Sequence, residues 1–195
     1  MPSFAKLMPY SLAWDLDGTL FDTKPVVLRS YDRARPGAGA LAEANWGKPW
    51  EAWGPSAFGE DAESIHRAKT THYQRAATKS QLLPPGVIAR AHPGQSFILT
   101  GASRESSLRL AARLAIKPER VYTGLTPERK AEVIATDLAQ TGVYVDDDEV
   151  AGVRVVNILR ERGLFWYFVL FHGQTERELD TQIGGILGYR YPRRG

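Results

Sequence analysis

Asp15-Leu16-Asp17-Gly18-Thr19-Leu20-Phe21-Asp22-Thr23 follows directly on Tyr10-Ser11-Leu12-Ala13-Trp14, and this junction decides the reading of the chain. The apolar-leaning run reads as a buried strand, and the acidic, glycine-bearing stretch reads as the loop that ends it. The same event recurs twice. Ser96-Phe97-Ile98-Leu99 runs into Thr100-Gly101, and Gly142-Val143-Tyr144-Val145 runs into Asp146-Asp147-Asp148-Glu149. Between these strands lie helical patterns. Ser103 to Leu114 carries leucines at 108, 110 and 114, and Pro127 to Ala139 carries apolar residues at 131, 133, 134 and 138. Thr126 fits the N-cap of the second, with Pro127 at its first position. Such alternation predicts an α/β fold: a doubly wound parallel sheet, Rossmann-like, with right-handed crossovers. Ligands of such sheets sit at the carboxyl ends of the strands, where these polar residues fall.

Beyond Asp148, valines at 153, 155 and 156 favour a strand, while Asn157 to Arg162 ending at Gly163 favours a helix with a glycine cap. The helix is preferred, over Glu149 to Arg162. Leu164 to Phe171 is aromatic and β-branched and reads as the last long core strand. From Gly184 onward there are glycines, Arg190, Arg193 and Arg194 and no periodicity, so the tail is read as loosely ordered. Residues 24–85 stand outside the alternation, with no apolar strand run and many prolines and glycines. They read as a small helical insertion, with helices over Val26 to Arg35 and Ala62 to Ser80 and with Trp46, Trp50, Trp53 and Phe58 packing between them. Leu83-Pro84-Pro85-Gly86 reads as the loop that returns to the core, which is therefore residues 1–23 and 86–195.

Composition removes several kinds of function. The 195 residues contain no cysteine, so disulfide scaffolds, zinc ribbons, thiol nucleophiles and iron–sulfur clusters are excluded. Any metal must be held by oxygen or by the 4 histidines. His66 and His72 are six apart, which is not the usual helical metal pair. The formal net charge of +3 permits an anionic substrate without suggesting bulk coating of nucleic acid. The longest apolar run, Leu164 to Phe171, is far short of a membrane span, and the first residues lack the layout of a secretory signal. A soluble, cytoplasmic protein without membrane attachment is expected.

Two carboxylates two apart beyond a strand end can occupy different environments. Of Asp15 and Asp17, one can stay ionised and attack phosphorus, while the other, held protonated, serves the leaving oxygen and later deprotonates water. Leu16 would anchor the loop, and Gly18 permits its sharp turn. The acids from Asp146 to Glu149 would repel one another unless a cation neutralises them, and a hard ion such as Mg2+ suits them. The same run also reads as a helix N-cap with first-turn acids. Thr100 and Gly101 offer a hydroxyl and an amide for phosphate oxygens, or simply a strand end. Lys130, with Arg129 as the alternative, places a cation in the first turn of a helix, where the macrodipole disfavours it unless an anion is near.

The nine residues Asp15 to Thr23 resemble the signature of the haloacid dehalogenase (HAD) superfamily. Thr100, Lys130 and the cluster at Asp146 to Asp148 follow in the order of that family's other motifs, and the insertion is similar in position and size to its small helical cap. The resemblance implies an HAD core and a phosphatase. It implies Asp15 as nucleophile, Asp17 as general acid and base, and Thr100, Gly101 and Lys130 as phosphate-binding groups. It implies metal ligation by Asp15, the Asp17 carbonyl and one or both of Asp146 and Asp147. The family's dehalogenating branch does not normally keep the second aspartate, so Asp17 argues for phosphoryl transfer. A small anionic phosphorylated metabolite or nucleoside monophosphate is the expected substrate. A phosphorylated nucleic-acid end contacted by the arginine tail is the alternative, and a non-catalytic anion-binding or scaffold module is the alternative of another class. Ser64 to Gln81 is rich in basic residues and without an acid, and reads as a solvated helix face or as a basic lid over an anion.

Overall fold

The computed structural model describes residues 10–46, 48 and 50–188. In chain order its elements are β1 (Ser11–Trp14), β2 (Phe21–Asp22), α1 (Lys24–Ala34), α2 (Ala38–Ala44), α3 (Trp50–Phe58), α4 (Ala62–Ala76), β3 (Gln81–Leu82), α5 (Pro84–Ala91), β4 (Ser96–Leu99), α6 (Arg104–Ala112), β5 (Val121–Tyr122), α7 (Pro127–Asp137), β6 (Thr141–Asp146), α8 (Glu149–Glu161), β7 (Phe165–Leu170) and α9 (Glu176–Leu187). They form two compact units, one of them Thr23–Gln81 and the other the remaining chain.

The larger unit is built on a five-stranded sheet in the order β5-β4-β1-β6-β7. Every pairing in it is parallel, with Trp14 beside Ile98 on one side and beside Val145 on the other. The chain winds outward from β1 through β4 to β5, then crosses back to β6 on the other flank. That reversal puts the crevice of a doubly wound sheet at the carboxyl end of β1. β1 is buried throughout, as expected for a central parallel strand. One face of the sheet carries Ala13, Leu99, Tyr144 and Trp166 against Ala131 and Ile134 of α7 and Val155 and Leu159 of α8. Alternate residues of the same strands, including Leu12, Trp14, Ile98 and Val143, are buried on the opposite face. There Trp14 Nε1 donates to Ser96 Oγ at 3.0 Å. The smaller unit has its own aromatic core, in which Tyr31, Trp50, Trp53 and Phe58 lie with ring centroids 4.9–5.9 Å apart.

Several expectations need correction. The tail does not lose order at Gly184, because α9 runs through it to Leu187. Thr175 and Glu178 form a reciprocal capping box at its start, Gly188 ends it in the left-handed conformation, and Leu179, Ile183 and Gly184 are buried. Arg190, Arg193 and Arg194 lie outside the described residues. Leu83 to Gly86 is not a loop: Leu83 is the N-cap of α5, and the two prolines occupy the first turn, where a missing N–H costs nothing. The long helix expected to Ser80 ends at Ala76 and tightens into a 3₁₀ turn over Ala77–Lys79. A fifth core strand of only two residues, β5, had no periodicity to reveal it. The ambiguous valine-rich stretch is a helix, α8, followed by Gly163 at positive φ. Among the described residues no helix is long and apolar enough to cross a membrane.

Candidate active site

The loop after β1 is closed by its own backbone. Leu20 and Phe21 N–H both donate to the Leu16 carbonyl at 3.1 Å, and Gly18 N–H donates to Phe21 O at 2.8 Å. Leu16 is fully buried, so the turn hangs from the core by that side chain. Gly18 has φ +83°, and a Cβ there would lie 2.3 Å from Asp147 Oδ2, so conformation and space both demand glycine. This tight turn presents Asp15 and Asp17 at the crevice.

β6 brings the next acids alongside. Asp15 N–H donates to the Val145 carbonyl at 2.9 Å, which continues the β1–β6 ladder to the level of Asp146. Lys130 arrives from the first turn of α7. Its Nζ donates to Asp15 Oδ1 at 2.7 Å, to Asp146 Oδ2 at 3.2 Å and to the Tyr144 hydroxyl at 2.7 Å. Tyr144 in turn donates its hydroxyl proton to Asp146 Oδ2. Asp15, Lys130, Tyr144 and Asp146 are all buried. Arg129, the alternative cation, is exposed and paired with Glu132 of its own helix.

The acidic run divides between its two readings. Asp146 and Asp147 join the cluster. Asp148 is the N-cap of α8, accepting from Ala151 N–H at 3.0 Å, and Glu149 is the first helical residue. Asp147 is clasped by buried Thr19, whose Oγ1 donates to Asp147 Oδ1 and accepts from Asp147 N–H, both at 2.9 Å. Sequence reasoning assigned nothing to Thr19 or Tyr144. The available signal for Tyr144 was its position two residues before Asp146, on the same face of one strand.

Thr100 and Gly101 stand at the carboxyl end of β4, the other neighbour of β1. Thr100 is buried, its Oγ1 accepting from Ala102 N–H at 3.0 Å, while Gly101 is exposed. Asp17 is half-buried in the loop. The predicted set therefore gathers at the carboxyl ends of β4, β1 and β6, with direct contacts joining Asp15, Lys130 and Asp146.

Electrostatics mark the cluster as short of positive charge. Burial pushes the Asp15 carboxyl up to about 8, with Lys130 opposing and Asp146 reinforcing the rise. Burial also raises Asp147, against the hydrogen bond from Thr19. Burial works against the Lys130 ammonium, but Asp15 and Asp146 outweigh it and hold its pKa above the usual lysine value. Burial and then Asp146 raise the Tyr144 hydroxyl well above the ordinary phenol, so it remains a donor. One ammonium thus faces three carboxylates whose oxygens lie within 4.8 Å of one another. An all-oxygen donor set with excess negative charge fits a hard divalent cation.

Comparison with solved structures finds the same fold elsewhere. A hydrolase of HAD subfamily IA from Geobacter sulfurreducens superposes with a TM-score of 0.57 at 18% identity, covering 90% of this chain and 96% of that one. This chain shares its fold with that hydrolase. CbbY from Rhodobacter sphaeroides, in complex with xylulose-(1,5)bisphosphate, gives a TM-score of 0.55 at 16% identity over 87% of this chain and 89% of its own. An HAD family hydrolase from Deinococcus radiodurans, with bound phosphate and sodium, gives 0.55 at 14% identity over 94% of this chain and 100% of that one. No family model and no curated protein matches the sequence. The likeness is one of fold, and it spans most of this chain.

Proposed function

We propose that this protein is a phosphomonoester hydrolase working through an aspartyl-phosphate, with a small metabolite phosphate or a nucleoside monophosphate as substrate. The observation that carries the reading is the buried contact of Asp15, Lys130 and Asp146 at the switch point of the sheet, with Asp17 two residues from Asp15. The solved structures of like fold that hold a sugar bisphosphate or phosphate lend support.

In this reading an Asp15 carboxylate oxygen bonds to phosphorus as the ester P–O bond breaks, and Asp17 gives its proton to the departing oxygen. Asp17 then takes a proton from water, whose oxygen attacks phosphorus and releases inorganic phosphate and free Asp15. Lys130, the Thr100 hydroxyl and the Gly101 amide hold the phosphoryl oxygens, and their donors stabilise charge as it develops. Asp15, the Asp17 carbonyl, Asp146 and Asp147 would hold Mg2+, which supplies charge neutralisation at the phosphoryl group. Thr19 keeps Asp147 turned toward the other acids.

The test is phosphate release with and without magnesium from sugar phosphates, nucleoside monophosphates and 3′-phosphorylated oligonucleotides. Wild type is expected to release phosphate, and Asp15→Asn to lose roughly 10,000-fold in turnover. A folded, magnesium-loaded wild type inert on the whole panel overturns the reading.

A further inference from the structure

A phenol inside a charged cluster needs a reason, because phenylalanine would fill the same volume without a polar atom to satisfy. Tyr144 is fully buried, and its ring packs with Ala13, Ala131, Ile134 and Val155. Its register partner on β1 is Ala13, a residue small enough to leave room for a ring beside it. Phe168 backs the ring on the other side at a centroid distance of 6.4 Å. Residues two apart on a strand share a face, so position 144 sends its side chain along the face that Asp146 uses. The hydroxyl therefore reaches the level of the carboxylates.

An ammonium has three protons to donate. Those of Lys130 meet three acceptors: Asp15 Oδ1, the Tyr144 hydroxyl and Asp146 Oδ2. Two of the acceptors are carboxylates competing for one cation. The third is neutral, fixed by a rigid ring, and tied to Asp146 through its own proton. Asp146 is held from its other side as well, since Oδ1 accepts from Asp148 N–H at 3.0 Å.

We propose that Tyr144 is a positioning residue for Lys130, accepting one ammonium proton while donating to Asp146, so that the amine stays between Asp15 and Asp146 instead of closing on either. The role given to the placed amine, meeting phosphoryl oxygens, rests on the phosphatase reading above. The placement itself does not.

Tyr144→Phe keeps the ring and removes the oxygen. The variant is expected to raise KM about tenfold, and to weaken inhibition by inorganic phosphate by the same factor, with a smaller change in kcat. In a Lys130→Met background the same substitution is expected to change neither quantity, because no amine remains to be placed. A purely structural tyrosine would show the same loss in both backgrounds, and that result overturns the proposal. Nitrogen-15 lysine NMR tests the placement without turnover. In wild type the Lys130 ammonium protons are expected to exchange slowly and to show a through-space contact to the Tyr144 ring protons, and absence of that contact overturns the proposal even if Tyr144→Phe does not fold. Exchange is expected to quicken several-fold in Tyr144→Phe, and unchanged exchange overturns it. If wild type releases no phosphate, the phosphatase reading falls while these spectra still decide the place of Tyr144.

Discussion

At the residue scale, Gly18 is where one side-chain-free position supports two loops. Its φ of +83° costs an alanine about 1–2 kcal/mol. The added methyl would also press on Asp147 Oδ2, from 2.3 Å, and strain its clasp by Thr19. Gly18→Ala is expected to lower stability by about that amount in urea and to weaken magnesium binding, measured by calorimetry on the folded protein. An unchanged midpoint together with unchanged magnesium affinity would show that the turn adapts at no cost. Asp15, Lys130, Asp146 and Asp147 were legible in the sequence because each falls at a strand end or a helix start, where a polar residue stands out against an apolar run. Tyr144 was not, since inside Gly142 to Val145 a tyrosine reads as another core aromatic, and only coordinates show where its oxygen lands. Thr19 was hidden differently: it lies within the motif, but its partner is 128 residues away.

At the scale of elements, the β1–β6 pair shows how closely two strands must approach to line up the acids. Gly142 stands opposite Ser11, and a Cβ on it would lie 2.4 Å from the Ser11 carbonyl oxygen and 2.7 Å from the Trp166 ring. Backbone cannot swing aside as a side chain can. Replacing a strand glycine by alanine gains up to about 1 kcal/mol in chain entropy, whereas overpacking costs about 1–3 kcal/mol. The clash is expected to win, so Gly142→Ala should shift the urea midpoint downward without a change in slope. A stabilised variant would mean that the strands separate at no cost and that their register is not set here. The elements legible in advance were β1, β4, β6, β7, α6 and α7 in the larger unit and α1 and α4 in the smaller, with α8 preferred over a strand on the balance of mixed signals. The strand β5 is too short for any period. For α5, paired prolines suggested a turn although they sit at the helix start, and for α9 adjacent glycines obscured a capping box and the buried pair Leu179 and Ile183.

At the scale of the whole molecule, the division into two compact units matters because each has its own core, and a difference in their response to acid is expected from one histidine. In the smaller unit His66 lies 4.6 Å from Trp50, centroid to centroid, and its Nδ1 is buried without a hydrogen-bond partner. Burial lowers its pKa below the usual 6.5; Lys69 adds to the effect and Glu51 opposes it. The folded unit therefore binds a proton at His66 less readily than the unfolded chain does. The contribution of His66 to the unit's stability is full above about pH 6.5 and is lost as pH falls below that value toward the folded pKa. Incorporated 5-fluorotryptophan separates the units, because Trp50 and Trp53 report the smaller core and Trp14 and Trp166 the sheet. Heating at pH 7 and at pH 5 is expected to bring the unfolding of Trp50 and Trp53 to a lower temperature at pH 5, both absolutely and relative to Trp14 and Trp166. His66→Phe retains a ring against Trp50 but takes up no proton, so it should remove most of the difference between the two pH values. Equal loss in that variant would move the acid sensitivity from His66 to the carboxylates of the same unit, and no loss in wild type would mean that the half-buried ring accepts its proton without strain.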